Sequence, residues 1–516
     1  MPVIEEREHE RRAGGTGGLP AGPGTVADFA RVPVFAIAAA LLILLAFTAN
    51  RFGYMGDELY FIAAGRHLSW GYVDQPPLLP LLARAMEALG PGSPFVLRIP
   101  AMLAMAAGVV FTALIARELG GRVRAQVLSA AMFGVSTVFV AGGHYLATST
   151  LDPFLWTVLI WLLVRWIRTR RDGLLLWAGV VTAVALYVKF LIGGFWLVAG
   201  LALLVCGPRE LLRRPALWGG AAIAALALVP TLVWQARHGW PQLEMGASIA
   251  QEVGQTAGGR LMWLPEVLLM AGIPAGATLL GYGLWRLLRE PRLRSYRFLG
   301  WTTIGLAVVF LAVNGRSYYL AGMFPICWAV AAVELETGRA SRRWRWIATW
   351  PVYVLALVLM LPGTLPVWPQ TWLAKYPTLP RPIYTVAEIG WPEAARSVAG
   401  TFGRLPDPAH TAIVTGKYWA ASGLDYYGPS LGLPEPASPN RGYATLATPP
   451  ETARDVLYIG DDPRPLLGHF TGVQPVGAVD TGAAKPSAAD GTRMWLASGR
   501  LQPWDRLWPK LFTVAS

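Results

Sequence analysis

The chain has 516 residues, 54% hydrophobic and 15% charged, with a formal net charge of +13. Soluble globular chains carry about 25% charged residues, so this composition excludes an ordinary water-soluble enzyme. The basic surplus does not indicate a nucleic-acid partner, because residues 366–516 hold 13 Lys and Arg against 12 Asp and Glu. The rest of the excess lies in short Arg clusters between apolar runs, which is typical of membrane topology.

The chain begins with a polar stretch, residues 1–30, which we expect to be a disordered cytoplasmic tail. The next run, 32–49, is long for a signal-peptide core and predicts a membrane anchor. Cys206 and Cys327 both lie in apolar runs and form neither a disulfide framework nor a metal-ligand spacing.

Residues 31–365 are predicted to form the transmembrane domain, since a helix needs about 20 apolar residues to cross a bilayer. Eleven runs fit or nearly fit this length: 32–49, 97–116, 125–141, 150–165, 174–189, 191–206, 216–235, 261–285, 298–313, 319–336 and 347–365. The stretch 174–206 could instead be a bent hairpin or a single long helix.

Every second connection between these runs is rich in Arg, which predicts that those connections are cytoplasmic. The N-terminus is then cytoplasmic in the inner membrane, and the C-terminal domain is extracytoplasmic. The first outward loop, about 50–96, contains two segments, 57–68 and 77–89, that predict short amphipathic helices lying on the membrane.

After the last span the composition shifts to a Pro-rich linker at 366–390, followed by a small α/β domain at 391–516. We expect helices at 391–399 and 419–427. Short apolar runs at 412–415, 456–459 and 494–497 predict strands. The overall fold class is therefore a polytopic α-helical membrane protein with a small extracytoplasmic domain.

Four carboxylates in or beside the outward loops are candidates for chemistry: Asp57, Glu58, Asp74 and Asp152. A carboxylate near a low-dielectric boundary can act as a general base. Each also has a structural alternative. Asp57 and Glu58 could complement a helix dipole, whereas Asp74 and Asp152 could cap helices.

Two cations stand apart from the cytoplasmic Arg clusters. Lys189 ends the fifth span, where it could extend to the interface or bind a lipid-borne phosphate. Arg316 lies in an outward loop with Tyr318 and Tyr319 and could likewise bind a lipid-borne phosphate. Interfacial tyrosines, however, are usually membrane anchors.

His144 and His238 are also outward and could join Asp57 and Asp74 in holding a divalent ion. No ligand spacing supports such a site, so no cofactor is firmly implied.

Six short segments follow one another in residues 30–335: Gly56-Asp57-Glu58, Tyr72-Val73-Asp74-Gln75-Pro76-Pro77, Phe95-Val96-Leu97-Arg98-Ile99-Pro100, Leu151-Asp152-Pro153, Tyr187-Val188-Lys189 and Tyr318-Tyr319-Leu320. In this order, with apolar runs between them, they resemble GT-C type membrane glycosyltransferases of the group that contains protein O-mannosyltransferases and lipid A aminoarabinose transferases.

The resemblance implies a polyprenyl-phosphate sugar donor and transfer on the outer face to a lipid, glycan or protein acceptor. It assigns Asp57 as the base, Asp74 as a second acidic position and Lys189 as the ligand of the lipid phosphate. It places Tyr318 and Tyr319 in the tyrosine-containing outward loop. Gln75 departs from the Glu-Lys pair of the aminoarabinose enzymes, so their donor is not implied.

We therefore predict an inverting glycosyltransferase, in which Lys189 and Arg316 bind the departing phosphate. Asp74 is expected to orient a group or bind a metal. The alternatives are a membrane transporter, which would show paired charges near the midplane, and a non-catalytic lipid-binding scaffold.

Overall fold

The computed structural model describes residues 26–256, 258–339, 342–382, 384–482 and 487–514, most of them helical. Residues 1–25 of the predicted cytoplasmic tail lie outside the described residues.

The first predicted outward loop is flanked by α1 (Arg31–Thr48) and α4 (Pro94–Glu118) and contains α2 (Gly56–Arg66) and α3 (Leu78–Leu89). The two short helices expected in this loop are therefore present. However, nine of the 11 residues of α2 are buried, because it packs against α3 and against residues 418–427 near the C-terminus. The C-terminal residues therefore cover α2, and its expected position on the membrane stays a prediction.

Twelve further helices follow in the described residues up to 364: α5 (Val123–Gly134), α6 (Thr137–Gly142), α7 (Thr148–Thr169), α8 (Gly173–Val188), α9 (Leu191–Cys206), α10 (Pro215–Arg237), α11 (Pro241–Thr256), α12 (Gly259–Ala271), α13 (Ala275–Arg289), α14 (Arg297–Ala312), α15 (Phe324–Glu336) and α16 (Trp350–Thr364). Short 3-10 segments connect some of them, at Arg209–Arg213, Pro291–Tyr296, Ser317–Met323 and Arg342–Ala348.

Within the described residues, six helical segments are long and apolar enough to cross a membrane, or seven if one bent pair counts as a single span. The six are Arg31–Thr48, Pro94–Glu118, Thr148–Thr169, Pro215–Arg237, Pro291–Ala312 and Ser317–Glu336. The apolar helices α8, α9 and α16 are shorter. The number of eleven spans therefore stays a prediction.

Two of the predicted spans are not single helices. The run 261–285 forms α12 and α13, which meet at 104°, because Gly272 adopts φ +98° and Pro274 cannot continue a helix from the preceding turn. The run 125–141 divides into α5 and α6. The stretch 174–206 is two helices, since Lys189 has an extended backbone that ends α8.

The C-terminal part contains α17 (Gln370–Lys375), α18 (Thr385–Glu388), α19 (Trp391–Phe402), α20 (Tyr418–Tyr427) and α21 (Trp504–Leu511). The strands described there are β1 (Thr411–Thr415), β2 (Asp455–Ile459), β3 (Phe470–Ala478) and β4 (Arg493–Arg500). They form one sheet in the order β1-β2-β4-β3, in which β1 and β2 are parallel and the other pairs are antiparallel.

The sequence did not predict β3. This strand lies at the edge of the sheet, is mostly exposed and contains Gly472, Pro475 and Gly477. Proline and glycine are tolerated in edge strands, where a missing N–H or side chain costs little. The apolar pattern that marks a buried strand is therefore absent from β3.

The segment expected to be an extended linker, 366–390, contains α17 and α18 and buries Leu373, Ala387 and Ile389. One continuous apolar core joins the membrane-type helices to the C-terminal part, with Trp156 and Trp328 in the same cluster as Ile413 and Tyr418. This packing sets the C-terminal loops against the first outward loop.

Candidate active site

A cavity of about 390 Å³ lies where the loops predicted to face outward meet the C-terminal part. Six residues singled out from the sequence line it: Asp57, Asp74, Lys189, Arg316, Tyr318 and Tyr319. The site therefore combines carboxylates with cations and aromatic rings from segments that are far apart in the chain.

Asp57 lies in the first turn of α2, where the positive end of the helix dipole stabilises a negative charge. Its Oδ1 accepts a hydrogen bond of 2.7 Å from the Tyr418 hydroxyl and another of 2.7 Å from Trp419 Nε1. The carboxylate thus faces the cavity with one oxygen occupied by groups from α20.

Glu58 does not line the cavity. Consecutive residues of a helix are rotated by about 100°, and Glu58 is fully buried on the other side of α2. It forms two hydrogen bonds with Arg98, at 2.9 and 2.7 Å, and accepts the backbone N–H groups of Met55 and Leu146. This geometry indicates a structural role in place of the catalytic role that the sequence suggested.

The same buried cluster contains His144 and Glu388. His144 Nε2 lies 3.3 Å from Arg98 Nη1 and 3.2 Å from Glu388 Oε2. Burial, together with the charge of Arg98, lowers the pKa of His144. The cluster joins α2, α4 and the loop at His144 to Glu388 of α18. It therefore fixes the C-terminal part on the apolar helices.

Asp74 accepts a hydrogen bond of 2.8 Å from the Tyr60 hydroxyl, and it does not cap α3, which begins at Leu78. Burial raises the pKa of the Asp74 carboxyl, whereas the Tyr60 hydrogen bond and the charge of Arg441 lower it. A Cβ atom on Gly442 would lie 1.9 Å from the Tyr60 oxygen and 2.7 Å from Asp74 Oδ1. The glycine therefore permits the close approach of this C-terminal loop.

Lys189 and Asp152 lie on adjoining elements. The Lys189 Nζ atom is 4.1 Å from the ring centroid of Tyr319 and 5.2 Å from that of Tyr318. Asp152 is buried inside α7, accepts a hydrogen bond of 3.1 Å from Trp156 Nε1 and interacts electrostatically with Lys189. Asp152 neither caps a helix nor lines the cavity. Its negative charge influences the site by its electrostatic attraction to Lys189.

Arg316 is held by a carboxylate of α11. Its Nη2 lies 2.8 Å from Glu252 Oε2, and the other oxygen of Glu252 pairs with Arg441. Arg441 has a left-handed backbone, at φ +50°, a conformation that is uncommon for a residue with a side chain. One carboxylate therefore bridges the two guanidinium groups at the cavity wall.

Sequence reasoning missed the contributions of the C-terminal part to this cavity: Tyr384, Lys417, Tyr418, Trp419, Asn440 and Arg441. The loop Gly416-Lys417 follows the carboxyl end of β1, which is paired in parallel with β2. Ligand sites in parallel sheets gather at that edge, so a basic and aromatic loop after a buried strand is the signal that could have indicated them.

The structure does not bring the two outward histidines to Asp57 and Asp74. His144 belongs to the buried cluster, and His238 is exposed and stacks on Trp234. Among the described residues, no group of three or more His, Cys, Asp or Glu side chains is arranged to hold a metal ion.

The family model described as dolichyl-phosphate-mannose-protein mannosyltransferase matches residues 74–234. This region contains Asp74, Asp152 and Lys189 but not Asp57 or Arg316. No curated protein sequence matches the chain.

Among solved structures, ArnT from Cupriavidus metallidurans bound to undecaprenyl phosphate is similar, with a TM-score of 0.57 and 16% identity. The match covers 90% of this chain and 97% of ArnT. Apo ArnT from the same organism gives a TM-score of 0.58 with the same identity and coverage. The chain thus shares the ArnT fold, and the resemblance to GT-C type glycosyltransferases inferred from the sequence is confirmed.

Proposed function

We propose that the protein is a membrane glycosyltransferase that moves a sugar from a polyprenyl-phosphate donor to an acceptor hydroxyl on the outer face of the cytoplasmic membrane. The observation that carries the proposal is the joint presence of Asp57, Lys189 and Arg316 in one cavity. The family match and the fold shared with a protein solved with undecaprenyl phosphate support the donor class.

The cations suit a phosphate. Within the described residues, Lys189 has no carboxylate at ion-pair distance and is held instead against two aromatic faces. The Lys189 ammonium is partly buried, so the site has already removed much of its hydration. Binding of an anion is therefore more favourable than at a fully hydrated lysine. Arg316 adds a planar guanidinium, which can hold two phosphate oxygens.

The reaction needs one base and no nucleophilic carboxylate. The acceptor oxygen attacks the anomeric carbon, and the bond between that carbon and the phosphate oxygen breaks. The acceptor proton passes to Asp57, and the electron pair of the broken bond leaves with the polyprenyl phosphate, whose charge Lys189 and Arg316 stabilise. A single displacement of this kind inverts the anomeric configuration.

The side of the membrane follows from the Arg-rich connections, which we assign to the cytoplasm. The cavity is lined by the alternate connections and by the C-terminal part, so it opens on the extracytoplasmic side. The Tyr318 and Tyr319 rings contact Lys189 and would therefore lie beside the phosphate. This position favours a role in the site over a role as membrane anchors.

The test is a strain that lacks the gene, in which analysis of glycans and lipids identifies the sugar that disappears and its carrier. Wild-type protein should restore that sugar, whereas Asp57→Asn at equal membrane abundance should not. Asp462→Asn is the matched control, since this half-exposed carboxylate pairs with Arg464 and does not line the cavity. Full restoration by Asp57→Asn would show that the base is assigned wrongly. An unchanged profile of envelope sugars in the deletion strain would favour a transporter or scaffold.

A further inference from the structure

We propose that Tyr418 and Trp419 are positioning residues for the candidate base, so that the C-terminal part belongs to the catalytic centre. The inference rests on the proposed function, because it assumes that Asp57 accepts the proton. It goes beyond that function by assigning roles to residues that lie outside the matched family region.

The two donors act on the same oxygen of Asp57. The Tyr418 hydroxyl and the Trp419 indole N–H each lie 2.7 Å from Oδ1. In the described part of the chain, Oδ2 has no hydrogen-bond partner, and the Asp57 side chain lines the cavity. The arrangement therefore selects Oδ2 as the oxygen that meets the acceptor hydroxyl.

A carboxylate on a short side chain can rotate, and each rotation changes the direction in which it accepts a proton. Two charge-assisted hydrogen bonds from a rigid helix restrict that rotation. A displacement of about 1 Å in a reacting group can cost about a hundredfold in rate, so fixing the carboxylate has a direct kinetic effect.

Both donors are themselves held firmly. The Tyr418 ring makes an edge contact with Tyr60 at 5.2 Å between centroids, and the Arg441 guanidinium lies 5.2 Å from the centre of the Tyr418 ring. The Trp419 indole lies directly over the first residue of α2, since a Cβ atom on Gly56 would be 2.4 Å from its Cγ atom. Neither ring can move without disturbing the helix that carries Asp57.

The ion pair between Arg66 and Asp425, at 2.9 Å, joins the opposite end of α2 to α20. The two helices are therefore fixed to each other at both the candidate base and the far end of α2. This double attachment is the feature expected of a supporting shell that holds a reacting group.

The experiment compares Trp419→Phe, Tyr418→Phe and the double variant in the deletion strain. Trp508→Phe is the control, because Trp508 is a buried indole of the same domain that donates to the Ala444 carbonyl, away from the cavity. Each single variant should lower sugar transfer about tenfold, the size expected for losing one hydrogen bond to a charged group. Trp508→Phe should transfer at the wild-type level.

A second readout separates positioning from folding. Binding of undecaprenyl phosphate to the purified variants should stay within about twofold of wild type, since the cations that would hold the phosphate are unchanged. Gly56→Ala provides an independent variant, because its methyl group displaces the indole while both donors remain. It should show the same loss of transfer with the same retained binding.

Wild-type transfer in Trp419→Phe, Tyr418→Phe and Gly56→Ala, with Asp57→Asn inactive, would overturn the positioning role and leave the proposed function intact. A parallel loss of transfer and of undecaprenyl phosphate binding would also overturn it, because the residues would then be structural. Full activity of Asp57→Asn would overturn the assignment of the base and this inference with it.

Discussion

The ammonium group of Lys189 lies 4.1 Å from the centre of the Tyr319 ring, at the point where α8 ends. An aromatic face attracts a cation more weakly than a carboxylate does when the site is desolvated. The lysine is therefore held in place while its charge stays available to an incoming anion.

Lys189→Gln should weaken the binding of undecaprenyl phosphate about tenfold or more, because a hydrogen bond to a charged group is lost. Lys375→Gln is the matched control, since Lys375 also lies over a tyrosine ring, at 5.3 Å, outside the cavity. Tryptophan fluorescence or calorimetry on the purified protein gives the affinity. Equal affinities for wild type and Lys189→Gln would remove Lys189 from the phosphate site.

Glu252→Gln should strengthen undecaprenyl phosphate binding, by about threefold to tenfold. Glu252 pairs with both Arg316 and Arg441, so in the free protein its carboxylate occupies the Arg316 guanidinium that we assign to the phosphate. The same substitution should lower the melting temperature, because it weakens the ion pair that joins α11 to Arg441 of the C-terminal part. Weaker lipid binding in Glu252→Gln would mean that Glu252 organises the site and does not compete for it.

Asp74→Asn should raise the melting temperature at pH 7 and lower sugar transfer. Burial raises the pKa of Asp74 above its usual 3.8, so the folded chain holds the proton more tightly than the unfolded chain does. The stability that comes from this proton is present at acid pH and is lost as the pH rises through the raised pKa. The gain from the substitution should therefore disappear below about pH 4. A melting temperature lowered at pH 7 would contradict this account.

His144→Gln should reduce the loss of stability on acidification. Burial and Arg98 lower the pKa of His144 below 6.5, so the unfolded chain binds the proton more readily than the folded chain. Stability should therefore fall as the pH drops below about 6.5 and continue to fall towards the lowered pKa. Melting temperatures between pH 7.5 and 5.5 measure the effect, with exposed His238→Gln as the control. The same slope in wild type and His144→Gln would contradict the prediction.

Local patterns were sufficient for much of this protein. Apolar runs and Arg clusters indicated a helical membrane protein, and the positions of Asp57, Asp74, Lys189 and Arg316 followed from the loops that interrupt those runs. These features depend on composition over about 20 residues, which a single sequence displays directly. The exact spans were less accessible, because a bend such as that at Gly272 leaves the hydropathy of a run unchanged.

Tertiary structure decided which of these residues share a site. Asp57 and Glu58 are neighbours in sequence, but the turn of α2 directs one into the cavity and the other into a buried ion pair with Arg98. Trp419 lies 362 positions from Asp57, yet it donates a hydrogen bond to it. No local pattern encodes such a contact, since it depends on how α20 packs on α2, and that packing is determined by the whole core.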